Sequence, residues 1–97
     1  MKLMTKALEK SLPAIYSQDG KGEDAICYAK FFCPWGSWVW YATEYDPAER
    51  IFFGLVDGHE RELGSFSLDE LESVRGPMGL GIERDLYWTP KPLKECK

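Results

Sequence analysis

Few residue types in this chain can carry chemistry, and their spacing limits what that chemistry is. His59 is the only histidine. Beside Glu44, Glu60 or Asp85 it has the makings of a general base, while its place just after a turn reads as an exposed hairpin residue. A hydrolytic triad also needs a nucleophile, and no G-x-S-x-G or comparable elbow is present. Carboxylates recur two residues apart at Glu44 and Asp46, Glu60 and Glu62, and Glu83 and Asp85. On a strand that spacing puts each pair on one face, which suits a hard cation and equally a solvated sheet surface. The calcium-loop pattern is absent. Gly20 and Gly22 lead toward a strand, and Gly79-Leu80-Gly81 lacks a third glycine and a following helix, so no phosphate cradle forms. Arg84 falls within an apolar register between Glu83 and Asp85, and an inward arginine there needs a carboxylate such as Glu44. Arg75, before Gly76-Pro77, is placed to meet the carbonyls at a helix end. His59, Arg75, Arg84 and Asp85 are therefore the set on which an enzyme or ligand-binding reading rests. No catalytic residue, cofactor or metal is expected.

Cys27, Cys33 and Cys96 make an odd count without C-x-x-C spacing. In one extended strand Cys27 and Cys33 stand about 20 Å apart, whereas a disulfide needs α-carbons within about 7 Å. Buried reduced thiols are the expectation.

The elements that must position these residues follow from periodicity. Leu3, Met4, Ala7, Leu8 and Leu12 recur at helical spacing up to Pro13. A polar loop, Ser17 to Asp24, leads into a strand from Ala25 to Cys33. Pro34-Trp35-Gly36 turns the chain, and Trp38 to Tyr45 returns, which puts Trp35 at a hairpin tip, either exposed as an interface aromatic or folded back to cap the hairpin. Asp46-Pro47-Ala48-Glu49 is the next turn and Ile51 to Val56 the next strand. Asp57-Gly58 predicts a type I′ hairpin with positive φ at both central residues. His59 to Phe66 is the fourth strand, either continuous or interrupted at Gly64. Ser67-Leu68-Asp69-Glu70 is a capping box opening a short helix, which Gly76-Pro77 closes. Leu80, Ile82, Leu86 and Trp88 then alternate as a fifth strand. The predicted fold is a single α+β domain over residues 1–97: about five mainly antiparallel strands in a meander, an N-terminal helix, and a short helix before the last strand.

With 97 residues, 44% hydrophobic and 29% charged, the chain suits one globular core. No apolar run reaches the roughly 20 residues of a membrane span, and the N-terminus is no signal peptide, so a cytoplasmic location is expected. Most of the negative charge lies between Glu44 and Asp85, which hold eleven acidic and four basic residues. Trp35, Trp38, Trp40 and Trp88 offer stacking surfaces for single-stranded nucleic acid, but an acidic body disfavours that partner.

Lys30-Phe31-Phe32, Pro34-Trp35-Gly36-Ser37-Trp38 and Tyr41-Ala42-Thr43-Glu44-Tyr45-Asp46 resemble motifs of a known bacterial family. So do Phe53-Gly54-Leu55, Glu62-Leu63-Gly64-Ser65-Phe66-Ser67-Leu68 and the run from Arg75-Gly76-Pro77 to Leu86. Together, from Leu12 to Pro92, they resemble the domain of unknown function numbered 2958, encoded on plasmids, integrative elements and phages. Cys33 stands where a small polar residue is more usual. The resemblance carries no established activity; it implies an accessory protein of mobile DNA. The expected function is non-enzymatic binding of a protein with a basic surface, with inhibition of a host defence system as its setting. Trp35 with Glu44, Asp46, Glu60 and Glu62 is the expected contact.

Overall fold

The structure, a computed structural model, describes residues 2–96; Met1 and Lys97 lie outside those residues. The elements are α1 (Lys6–Ser11), β1 (Ile26–Cys27), β2 (Ala29–Phe32), β3 (Val39–Asp46), β4 (Ile51–Asp57) and β5 (Arg61–Ser67). After these come α2 (Leu68–Ser73), β6 (Glu83–Arg84) and β7 (Lys91–Pro92). β2 to β5 form an antiparallel meander, and β6 returns to pair with β2, so the sheet order is β5-β4-β3-β2-β6. β1 and β7 form a separate two-stranded ribbon. This is the α+β, mainly antiparallel domain that the periodicity predicts.

Local signals account for the ends of the elements. Thr5 caps α1 by accepting from the Leu8 amide at 3.1 Å, so the helix starts later than the apolar spacing implied. Leu3 and Met4 are nevertheless buried, as an extended lead-in. Ser67 caps α2 by accepting from the Glu70 amide at 3.2 Å. At Pro34 the Gly36 amide closes a turn onto the Cys33 carbonyl at 3.2 Å.

Several expectations change. The predicted Ala25–Cys33 strand divides at Tyr28 into β1 and β2, which join different sheets, and α2 ends at Ser73, with Val74 already extended, before Gly76-Pro77. The β4–β5 hairpin exists, but Asp57 pairs with Arg61 and the loop is Gly58-His59-Glu60, closed by the Gly58 amide on the Glu60 carbonyl. Gly58 is absent from the residues of positive φ. It is glycine because the Trp38 ring lies against it: a β-carbon there would stand 2.4 Å from the ring. β5 also runs through Gly64 without interruption. The last strand changes too, and pairs only over Glu83–Arg84. Its partner β2 ends before Pro34, and beyond it Asp85 turns the chain by accepting from the Tyr87 amide at 3.0 Å. Trp88 swings beneath the sheet, where its indole N–H donates to the Cys27 carbonyl at 3.0 Å.

Each face of the sheet carries a core. On one, Phe31, Ala42, Tyr45 and Phe52 pack with Leu68 and Leu71 of α2 and with Leu3, Met4 and Leu12. Phe31 and Phe52 are fully buried with ring centres 5.3 Å apart, and each burial stabilises by about 2–3 kcal/mol. On the other, Tyr41 and Leu55 pack with Ala25, Cys27, Leu93 and Cys96 beneath the ribbon.

That second core brings together the buried thiols of Cys27 and Cys96, which donate to the carbonyls of Ala29 (3.1 Å) and Pro92 (3.6 Å); all three cysteines are free, and Cys33 is only half-buried. Burial is the main cause that pushes both thiols above their ordinary 9.0. The unfolded chain releases these protons from pH 9 upward while the folded chain retains them. Stability is therefore complete below that pH and falls above it, by up to about 1.4 kcal/mol per pH unit per thiol. The urea midpoint is expected to decline steadily above pH 9, and Cys27→Ala to make the decline shallower. An unchanged slope in that variant would show that the thiol is not its source.

Candidate functional site

Strand β3 carries a bulge. Ala42 opposes Gly54, but the next pair is Glu44 with Phe53, so Thr43 is the extra residue. Because side chains alternate along a strand, one extra residue exchanges the faces of all that follow. Tyr45 thereby joins the α-helical side beside Phe52, and Glu44 turns to the ribbon side beside Phe53. Thr43 is locked in place by its hydroxyl, which donates to the Phe53 carbonyl at 3.0 Å.

Glu44 is 3% exposed. One carboxylate oxygen accepts from the Tyr16 amide at 2.9 Å and the other from the Gln18 amide at 2.7 Å. Gln18 extends the network: its amide nitrogen donates to the carbonyls of Ile26 (2.9 Å) and Thr43 (2.8 Å), and its oxygen accepts from the Ile26 amide at 2.7 Å. A buried carboxylate thus holds the polar loop before β1 against the sheet. The loop has the composition of a mobile connection, but Glu44 makes it a wall.

Between this wall and the sheet lies a cleft of about 780 Å³. Ile51 and Phe53 of β4 and Leu63 and Ser65 of β5 form its floor, with Ala25 and Leu93 behind. The ribbon does not reach this part of the sheet, so Phe53 remains 37% and Leu63 50% exposed. The charged side chains lining the cleft are Asp19, Glu44, Asp46 and Glu49, all carboxylates. Tyr16 stands at the rim, 79% exposed, with its backbone at φ 73. A left-handed conformation costs a non-glycine residue about 1–2 kcal/mol, and such strain gathers where a side chain has to be presented.

The residues singled out by sequence are dispersed. Trp35 folds back onto Gly76, where a β-carbon would stand 2.3 Å from its ring, and packs on the first core. Glu44 lies inside the molecule and is no surface contact. Asp46 lines the cleft, and its carboxylate accepts from the Ala48 amide at 3.0 Å. Glu60 and Glu62 are exposed at the opposite end of the sheet, where β4 turns into β5. His59 sits in that turn, edge-on to Trp38 at 5.3 Å. Arg84 and Asp85 are at β6, the other edge of the sheet. Arg75 donates to the carbonyls of Glu72 and Val74, both at 2.7 Å, at the end of α2. His59, Arg75, Arg84 and Asp85 are therefore not brought into one site. Among the described residues no three His, Cys, Asp or Glu side chains come together to hold a metal ion.

A family model described as a protein of unknown function, DUF2958, matches residues 3–94. The chain belongs to that family. No curated protein and no solved structure matches it. The DUF2958 match spans both walls of the cleft. Among the described residues of this DUF2958 protein, no helix is long and apolar enough to cross a membrane. The cleft residues that sequence reasoning missed are Tyr16, Gln18, Phe53 and Leu63. The signal available for Phe53 was two adjacent phenylalanines in one strand, since alternation allows only one of them into a given core.

Proposed function

We propose that this DUF2958 protein is a binding protein without catalytic machinery, which takes up a partner-protein segment bearing apolar and basic side chains. The observation that carries this reading is the cleft over Phe53. An apolar floor left open beside an all-carboxylate charged lining matches a segment that offers both burial and positive charge. The strained, exposed Tyr16 at the rim supports it, because tyrosine is enriched among interface anchors. This moves the acidic contact expected from sequence away from Trp35 and onto Asp19, Asp46 and Glu49. Within the mobile-DNA setting that the family resemblance implies, the partner is a host protein, and blocking a host defence system is the proposed outcome of occupying it.

An octapeptide of alternating leucine and lysine tests the reading by isothermal titration. Expected are a dissociation constant in the range of roughly 10–100 μM and weakening as salt is raised, since exposed charges are screened. Phe53→Lys should weaken binding at least tenfold. Tyr16→Gly separates presentation from folding: it relieves the left-handed strain, so the melting temperature holds or rises while affinity falls. No binding, or equal binding by Phe53→Lys, would overturn the proposal.

A further inference from the structure

We infer that the partner segment enters this cleft as an added β-strand, paired with the free edge of β5. The inference rests on the binding reading above and specifies its mode. β5 is the last strand on its side of the sheet and pairs only with β4. Its register gives the direction of each backbone group. The Leu68 amide donates to the Arg50 carbonyl and the Gly58 amide to the Glu60 carbonyl, one at each end of the β4–β5 ladder. In an antiparallel ladder the hydrogen-bonded pairs fall at every second position. The bonded pairs are then Phe52 with Phe66, Gly54 with Gly64 and Val56 with Glu62. The N–H and C=O groups of Arg61, Leu63 and Ser65 consequently point away from the sheet.

Two of these outward-bonding residues, Leu63 and Ser65, also line the cleft floor. A strand bonded to them lies along the cleft, with every second side chain over the Phe53 and Leu63 surface and within reach of the carboxylates. The edge carries few of the usual guards against pairing: between Arg61 and Ser67 there is no proline, no lysine and no bulge. Gly64 leaves open space on the other face, since a β-carbon there would meet nothing within 4 Å. A second copy of this chain fits the edge poorly. Each copy carries a net charge of −4 and its own carboxylate-lined cleft, so edge-to-edge pairing sets like charges together. A basic, extended segment of another protein meets the same edge with attraction.

The test uses the full chain and the same leucine–lysine octapeptide. On binding, the Leu63 and Ser65 amides are expected to exchange with deuterium at least tenfold more slowly. N-methylation of the peptide at the alternate amides facing β5 should weaken binding at least tenfold, and methylation of the other set should not. Ser65→Pro removes an outward donor, a change that edge strands tolerate, so this variant should fold and lose binding to a similar degree. Unchanged exchange of both amides while the peptide still binds in a Phe53-dependent way would overturn strand addition and leave the cleft reading standing. Absence of peptide binding by the unaltered chain would overturn both.

Discussion

Gly54→Ala is expected to remove much or all of the stability of the fold, while Gly64→Ala, directly across the ladder, is expected to change stability by no more than about 0.5 kcal/mol. The two glycines oppose one another in β4 and β5, and neither has a positive φ. The contrast therefore comes from space alone. A β-carbon at Gly54 would stand 1.8 Å from the Tyr41 carbonyl oxygen and 3.2 Å from the Ala42 α-carbon. Both are backbone atoms of β3 just before the Thr43 bulge, and no side-chain rotation can move them aside. Relief requires parting β3 from β4 or removing the bulge. That step would return Tyr45 and Glu44 to the wrong faces. The expected cost, on the order of 4 kcal/mol or more, is comparable with the 5–10 kcal/mol stability of so small a domain. Soluble yield, circular dichroism and urea unfolding of the two variants decide the matter. A Gly54→Ala protein with a near-native midpoint would mean that the bulge is not held as described.

Glu44→Ala is expected to lower the melting temperature by roughly 10–20 °C and to release the loop before β1. Two backbone N–H groups, the Gln18 amide in a buried bond and the Tyr16 amide in a partly buried one, lose their acceptor together. Each donor left unsatisfied in the interior costs about 1–3 kcal/mol, and one kcal/mol corresponds to about 4–8 °C for a domain of this size. Glu44→Gln retains the volume but turns an N–H₂ group toward one of the two donors, so an intermediate loss is expected. Trypsin supplies a second readout. Lys21 lies in the held loop, and cleavage after it should become at least tenfold faster in Glu44→Ala under native conditions. Loss of stability without faster cleavage at Lys21 would place the role of Glu44 elsewhere than in holding the loop. Because the loop is one wall of the cleft, peptide binding should weaken in parallel.

Much of the meander was legible because its signals are local. Proline at Pro34 and Pro47 and Ser67 at a helix start each act within a few residues, and Asp57-Gly58 marked the place of the β4–β5 hairpin though not the form of its loop. The candidate site was not legible in the same way. Glu44 and Asp46, two apart, suggested one solvated face; in the structure one is buried and the other lines the cleft. Nothing in their spacing reveals that Gln18 and Tyr16 need an acceptor, since those groups approach from a distant part of the chain. Trp35 is a related case. Its place at a turn left an exposed ring and a ring folded back over the hairpin both open; Gly76 leaves room for the folded-back ring, and only the folded chain brings the two together. Cys96 beside Cys27 is a further case, because the pairing of β1 with β7 creates it.

By itself the sequence determined an antiparallel α+β domain, the order of its hairpins, the Ser67 cap of its second helix and a negatively charged middle. Periodicity, turn chemistry and composition operate between neighbours, so they survive in the one-dimensional string. Tertiary structure alone decided the order of strands at the sheet edges, the face that each carboxylate occupies, and the opening over Phe53. Those depend on the single extra residue at Thr43 and on how far the ribbon extends over the sheet. A bulge shifts every later side chain by one face, and a short cover leaves an apolar floor open. Both are matters of registration between segments far apart in the chain, which local pattern does not encode.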